Sequence, residues 1–197
     1  RCMTRSGPLA WLGWRGGNHP FVWADEPPRG NGLEQGTQSN VSKAEAVVFL
    51  QMHNDARKEV GVETKLVWSG KLAEYAQKWA DHLAETGEFK HRPQEGEWAR
   101  EYGENLFCGL GTQANIKKAV QFWDDEKKLY TPGTPIPQDY ETLAKYGHYT
   151  QMVWSTTTHV GCGKAIYKTG PYKGWVLFVA SYDPPGNFLG QIPYEVK

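Results

Sequence analysis

From residue 42 onward the apolar positions fall into runs with a recognisable period. Ser42-Lys43-Ala44-Glu45 is a capping box, which predicts a helix with Val47, Val48 and Leu50 turned inward and Gly61 at its end. A second helix is predicted from Ser69, with Leu72, Ala76, Trp79 and Leu83 on one stripe and Gly87 just past the last turn. Residues 115–128 repeat the pattern with Ile116, Ala119, Val120 and Trp123. Residues 104–110 read as a short strand, while 160–167 and 175–182 are β-rich runs parted by Gly and Pro, the mark of an antiparallel hairpin. Residues 131–137, with three prolines, must be loop. The order α, α, β, α, β, β predicts an α+β domain in which helices cover a small antiparallel sheet.

Residues 1–40 carry no sustained period and are broken by Gly-Gly, Pro-Pro and Gly-Asn-Gly clusters, so they read as an irregular arm before a domain over 41–197. Trp11, Trp14, Phe21 and Trp23 are too aromatic for a disordered tail, and these rings are expected to dock on the domain surface. A length of 197 residues suits one such domain plus an arm.

Composition removes several function classes. Lys plus Arg and Asp plus Glu both number 22, so no net field draws the chain to nucleic acid. Mean hydropathy is -0.64, and no apolar run approaches the roughly 20 residues that cross a bilayer, so no transmembrane segment is expected. No secretory leader is legible at Arg1, which, lacking an initiator Met, reads as a processed or trimmed start. Cys2, Cys108 and Cys162 allow one disulfide and one thiol. Cys108 and Cys162 would pair across the sheet if their Cα atoms came within about 7 Å, the alternative being two buried thiols. Cys2 reads as a link to another chain or a lipid acceptor.

Among six histidines, His91 and His148 stand in polar or Gly-flanked stretches at the edges of predicted elements, where sites form. Glu126 shares a helical face with Trp123 and is expected to point partly inward, where a carboxylate needs a partner. No HExxH, GxSxG, GxGxxG or P-loop occurs, so zinc-protease, serine-hydrolase and nucleotide-binding readings have no local support. Spacing alone does not join these residues.

Longer motifs do. Gly147-His148-Tyr149-Thr150-Gln151-Met152-Val153-Trp154 resembles the GHYTQ-x-VW motif of the CAP superfamily. Leu50-x-x-His53-Asn54-x-x-Arg57, Leu66-x-Trp68 and Leu72-Ala73-x-x-Ala76-x-x-Trp79-Ala80 are similar to that family's first two helices. Tyr102-Gly103-Glu104-Asn105-Leu106, Trp123-x-x-Glu126-x-x-x-Tyr130, Gly161-Cys162-Gly163 and Tyr182-Asp183-Pro184-Pro185-Gly186-Asn187 extend the resemblance over residues 44–194. It implies an α-β-α sandwich and a central cleft of two His and two Glu, here His91, Glu104, Glu126 and His148, with His82 a rival to His91 that helical phase disfavours. Such a tetrad suits a divalent ion such as Zn2+; a purely structural hydrogen-bonded network is the other possibility.

The resemblance to pathogenesis-related proteins of group one further implies a secreted, extracellular protein, or a periplasmic one in a bacterium. Non-enzymatic binding of a lipid, a sterol or a protein receptor ranks above catalysis, and a metal-dependent hydrolase using the tetrad is the alternative. Trp98, Tyr102, Tyr140 and Tyr146 are candidates to line an apolar groove. The chain departs from the plant pattern in its cysteines, since Ala180-Ser181-Tyr182 stands where Cys-Asn-Tyr is usual. For the same reason the Pro184-Pro185-Gly186-Asn187-x5-Pro193-Tyr194 stretch, released as a peptide in plants, is expected here to be a structural turn.

Overall fold

The computed structural model describes residues 31–196. Most of the expected arm, with Cys2, Trp11, Trp14, Phe21 and Trp23, lies outside the described residues. Residues 31–40 pack on the domain: Leu33 is buried, and the Trp68 indole donates to the Thr37 carbonyl at 3.0 Å.

Helix α1 (Lys43–Glu59) opens on the expected capping box, with Ser42 Oγ accepting from Glu45 N–H and Glu45 accepting from Ser42 N–H. It buries Ala46, Phe49, Leu50, His53, Ala56 and Arg57. Val47 and Val48, expected inward, are 46% and 39% exposed. The stripe is phased by Phe49 and repeats every three to four residues, which leaves the two valines on its flank. Strand β1 (Val67–Trp68) leads into helix α2 (Gly70–Thr86), capped by Ser69 and closed by Gly87 at φ 75° as the sequence predicts.

Strand β2 (Gly103–Gly109) precedes helix α3 (Ile116–Asp124), whose predicted continuation tightens to a 3-10 turn, Asp125–Leu129. Two short helices follow, α4 (Tyr140–Leu143) and α5 (Gly147–Met152), then β3 (His159–Ile166) and β4 (Val176–Asp183). The sheet order is β1-β3-β4-β2; β4 is antiparallel to both neighbours, and β1 adds two parallel pairs to β3.

Side chains alternate across this sheet. Leu106, Cys108, Leu177 and Val179 pack with Trp79, Ala80 and Leu83 of α2. Phe178, Ala180 and Tyr182 pack on the other face with Phe49, Leu50, Val120, Trp123 and Met152 from α1, α3 and α5. The result is the expected α-β-α sandwich. Helix α2 lies tight on β3 because that strand offers Gly161 and Gly163; a Cβ on Gly161 would sit 2.2 Å from the Ala73 nitrogen, and one on Gly163 2.5 Å from Gln77 backbone.

Cys108 and Cys162 do not pair: Cys108 is disulfide-bonded and Cys162 is a buried free thiol. Strand β4 lies between theirs, so two interstrand steps of about 4.8 Å separate them, beyond the reach of a disulfide. Desolvation pushes the Cys162 thiol pKa well up, which keeps it protonated and inert.

Candidate functional site

The four predicted residues form two His–Glu dyads. His91 Nδ1 lies 2.7 Å from Glu104 Oε1, which also accepts from the Arg92 N–H at 3.0 Å. His148 Nδ1 lies 2.6 Å from Glu126 Oε1, while Glu126 Oε2 accepts from the N–H groups of His148 and Tyr149 at 2.9 and 3.2 Å. His82 is elsewhere, stacked on Trp79 at 5.0 Å and against Trp98 at 4.5 Å.

Glu104 shares the α2 face with Leu106, two residues on, and Asn105 the face of α1 and α3. The dyads therefore approach from opposite faces of the sheet and meet at β2, one of its two edge strands. They are close enough to interact: burial is the main cause that lowers the His91 pKa, Glu104 opposes it, and Arg100 and His148 push it further down. Among the described residues, Glu104 Oε2 is buried and has no hydrogen-bond partner.

Helix α5 is only six residues long and would not stand alone. Its position is fixed from outside. Glu126 holds its first N–H groups, and Asn187 Nδ2 donates to Gly147 O at 2.8 Å. Asn105 Nδ2 donates to His148 O at 3.0 Å, Gly186 N–H to Gln151 Oε1 at 3.0 Å, and Arg57 to Met152 O at 3.2 Å. Arg57, buried, also donates to the carbonyls of Thr64, Trp154 and Thr157 at 2.7–2.9 Å. The stretch after β4 is thus a built turn that braces α5, with Asn187 at φ 58°.

Beneath α5 a buried relay runs into the core. Asn105 Nδ2 donates to the Tyr182 hydroxyl at 3.2 Å, which lies 2.9 Å from His53 Nε2; His53 Nδ1 is 2.8 Å from Phe49 O. Since Phe49 O only accepts, Nδ1 carries the proton and Nε2 accepts from Tyr182. Desolvation lowers the His53 pKa to about 3, with Arg57 contributing, so the ring is neutral. These bracing residues stand in the quoted motifs, but their partners lie tens of positions away and no local pattern announces the pairings.

The aromatic candidates do not form one wall. Trp98 joins Tyr75 and Trp79 around Arg92, whose guanidinium lies 3.8 Å from the Tyr75 ring centroid, and Tyr102 meets Tyr75 edge-on at 4.9 Å. Tyr146 is buried against Tyr130. Beside His148, however, stand two rings that the sequence did not single out. Phe122, 38% exposed, lies 6.2 Å from the imidazole and 5.7 Å from half-buried Phe107.

Two histidines oriented by carboxylates through Nδ1 match the donor set of a metal-ligating pair, in which the other ring nitrogen coordinates. The buried, unpartnered Glu104 oxygen fits the same reading. Among the described residues, no group of three or more His, Cys, Asp or Glu is arranged to hold a metal ion. No helix among them is long and apolar enough to cross a membrane.

Comparison with known proteins agrees with this architecture. The chain is 40% identical to Pathogenesis-related protein 1A of Nicotiana tabacum over 149 residues, covering 74% of this chain and 79% of that one. It is 33% identical to Venom allergen 5 of Polybia paulista over 179 residues, 82% and 84% of the two chains. The crystal structure of NaASP2 with Zn2+ superposes with a TM-score of 0.63 at 23% identity, over 80% of this chain and 88% of that one, which is likeness of fold. Residues 50–182 match the profile of CAP, the Cysteine-rich secretory protein family. With that match, the relatives and the shared sandwich in agreement, the chain belongs to the CAP family and is similar to pathogenesis-related protein 1.

Proposed function

We propose that this CAP protein is a secreted, non-enzymatic binding module in which His91 and His148 take a divalent cation such as Zn2+ beside an apolar ligand surface. One observation carries the reading: both imidazoles present Nδ1 to a carboxylate, at 2.7 and 2.6 Å. That arrangement commits the opposite ring nitrogen to any ligand role and raises its basicity. Glu104 and Glu126 then serve as orienting partners. Glu126, which accepts three hydrogen bonds, is held too firmly to act as a mobile base. The cation would supply positive charge at the edge of β2, suited to the polar head of a bound lipid or sterol. Phe107 and Phe122 offer the adjoining apolar surface in preference to a protein receptor's polar contacts. Secretion is supported by the disulfide at Cys108, since such bonds persist in oxidising compartments.

Zinc titration by calorimetry tests the metal reading. Wild-type protein should bind, and a His91→Ala, His148→Ala double variant should not; silence in both would overturn it. Sedimentation with sterol-containing vesicles, compared between wild type and Phe122→Ser, tests the apolar surface. Equal recovery of the two proteins would argue against it.

A further inference from the structure

Asn40-Val41-Ser42 is an N-x-Ser tripeptide, and it occurs once in the sequence. The fold displays it suitably. Val41 is buried at 1% exposure, which turns Asn40 outward, and Asn40 itself is exposed. Beside it, between α2 and the outer side of β3, runs a groove of about 580 Å³ lined by Asn40, Asp81, Glu85, Lys164, Ile166 and Lys168 among others. It combines charged groups at its rim with Ile166, an aliphatic side chain 58% exposed. Sugars ask for that combination: donors and acceptors for hydroxyls, and an apolar patch for the ring face.

We infer that Asn40 is the acceptor of an N-linked glycan whose first sugars lie in this groove. The donor is an oligosaccharide carried on a lipid pyrophosphate. The Asn40 amide nitrogen attacks the anomeric carbon, the bond from that carbon to the pyrophosphate oxygen breaks with the electron pair leaving on oxygen, and the amide releases one proton. The resulting secondary amide keeps one N–H, so the hydrogen bond that Asn40 Nδ2 gives to Lys164 O at 3.2 Å survives modification. The glycan would stand on the β3 side of the sheet, two strands from β2 and the His–Glu dyads, and leave them accessible. It would also shield residues 161–166 of β3, which have no strand partner on that side among the described residues.

The inference rests on the secretory route proposed above only for contact with the donor, so its test supplies that route. The chain is translated with microsomes behind a cleavable leader, with a second N-x-Thr site appended after Lys197 as a translocation control. Two glycans are expected on the wild type and on Ser42→Thr, and one on Asn40→Gln and Ser42→Ala, all removed by endoglycosidase. A wild type carrying only the control glycan overturns the inference, whatever the native chain's own export proves to be. Acylation of Lys168 should be slower in the glycoprotein than after enzymatic deglycosylation; equal rates would overturn the placement of the sugars.

Discussion

The hydroxyl of Tyr182 lies 2.9 Å from Nε2 of His53, with both residues fully buried. It also receives Asn105, which holds the carbonyl of His148. Tyr182→Phe keeps the ring and removes this junction, leaving the buried His53 Nε2 without its partner while Asn105 keeps its bond to the His148 carbonyl. The expected cost is about 1–3 kcal/mol, read from the midpoint of urea unfolding. An unchanged midpoint would show that the relay adds nothing to stability.

His53 also predicts an acid limb. Its folded pKa is about 3, below the 6.5 usual for histidine, because burial beside Arg57 disfavours the cation. The unfolded chain therefore takes up the proton first. The contribution to stability is whole above about pH 6.5 and is lost as pH falls toward 3, by about 1.4 kcal/mol per unit. His91, also lowered by burial, acts with the same sign. Unfolding free energies measured in steps from neutral to about pH 4.5 should fall along this limb, and less steeply in His53→Gln.

Arg57 tests the bracing of α5. Its guanidinium serves carbonyls on both sides of the turn that follows that helix, and the ammonium of Arg57→Lys has too few donors and the wrong shape to replace it. A loss of roughly 2–4 kcal/mol is expected from the orphaned carbonyls, measurable by chemical unfolding. Zinc affinity should fall with it, because His148 rides on the same helix.

Glu126→Gln should separate orientation from stability. The amide oxygen can still accept from the backbone of α5, while the charge behind His148 is gone. Zinc affinity is expected to drop 10–100-fold with little change in the unfolding midpoint, and calorimetry on the variant is the check.

Gly161→Ala probes the seam between β3 and α2. The new methyl would meet the Ala73 nitrogen at 2.2 Å, within main chain that cannot rotate away. A destabilisation of about 1–3 kcal/mol or more is expected, visible as a lowered Tm.

The long elements were legible because each carries its own signal. Helix α2 shows a cap at Ser69, an unbroken stripe and a stop at Gly87, and the hairpin shows in the β-branched and aromatic residues of β4 and in the Gly and Pro turn signals that part it from β3. The inward face of α1 was misjudged because Val47 and Val48 are apolar by type, while the true phase includes His53 and Arg57, whose burial depends on partners supplied from Tyr182 and residues 152–157. Strand β1 and helices α4 and α5 are too short for a period to register. The His–Glu cleft came through resemblance, for nothing local ties His91 to Glu104 or Glu126 to His148. The dyads depend on the edge strand and on a braced helix, which are facts of the folded chain.

Because one dyad belongs to the α2 layer and the other to the layer of α1, α3 and α5, a ligand that engaged both histidines would clasp the two helical layers around the margin of the sheet. Occupancy would then be felt as mechanical closure at that margin, and the amides of β2 would be the first to report it through slowed hydrogen exchange.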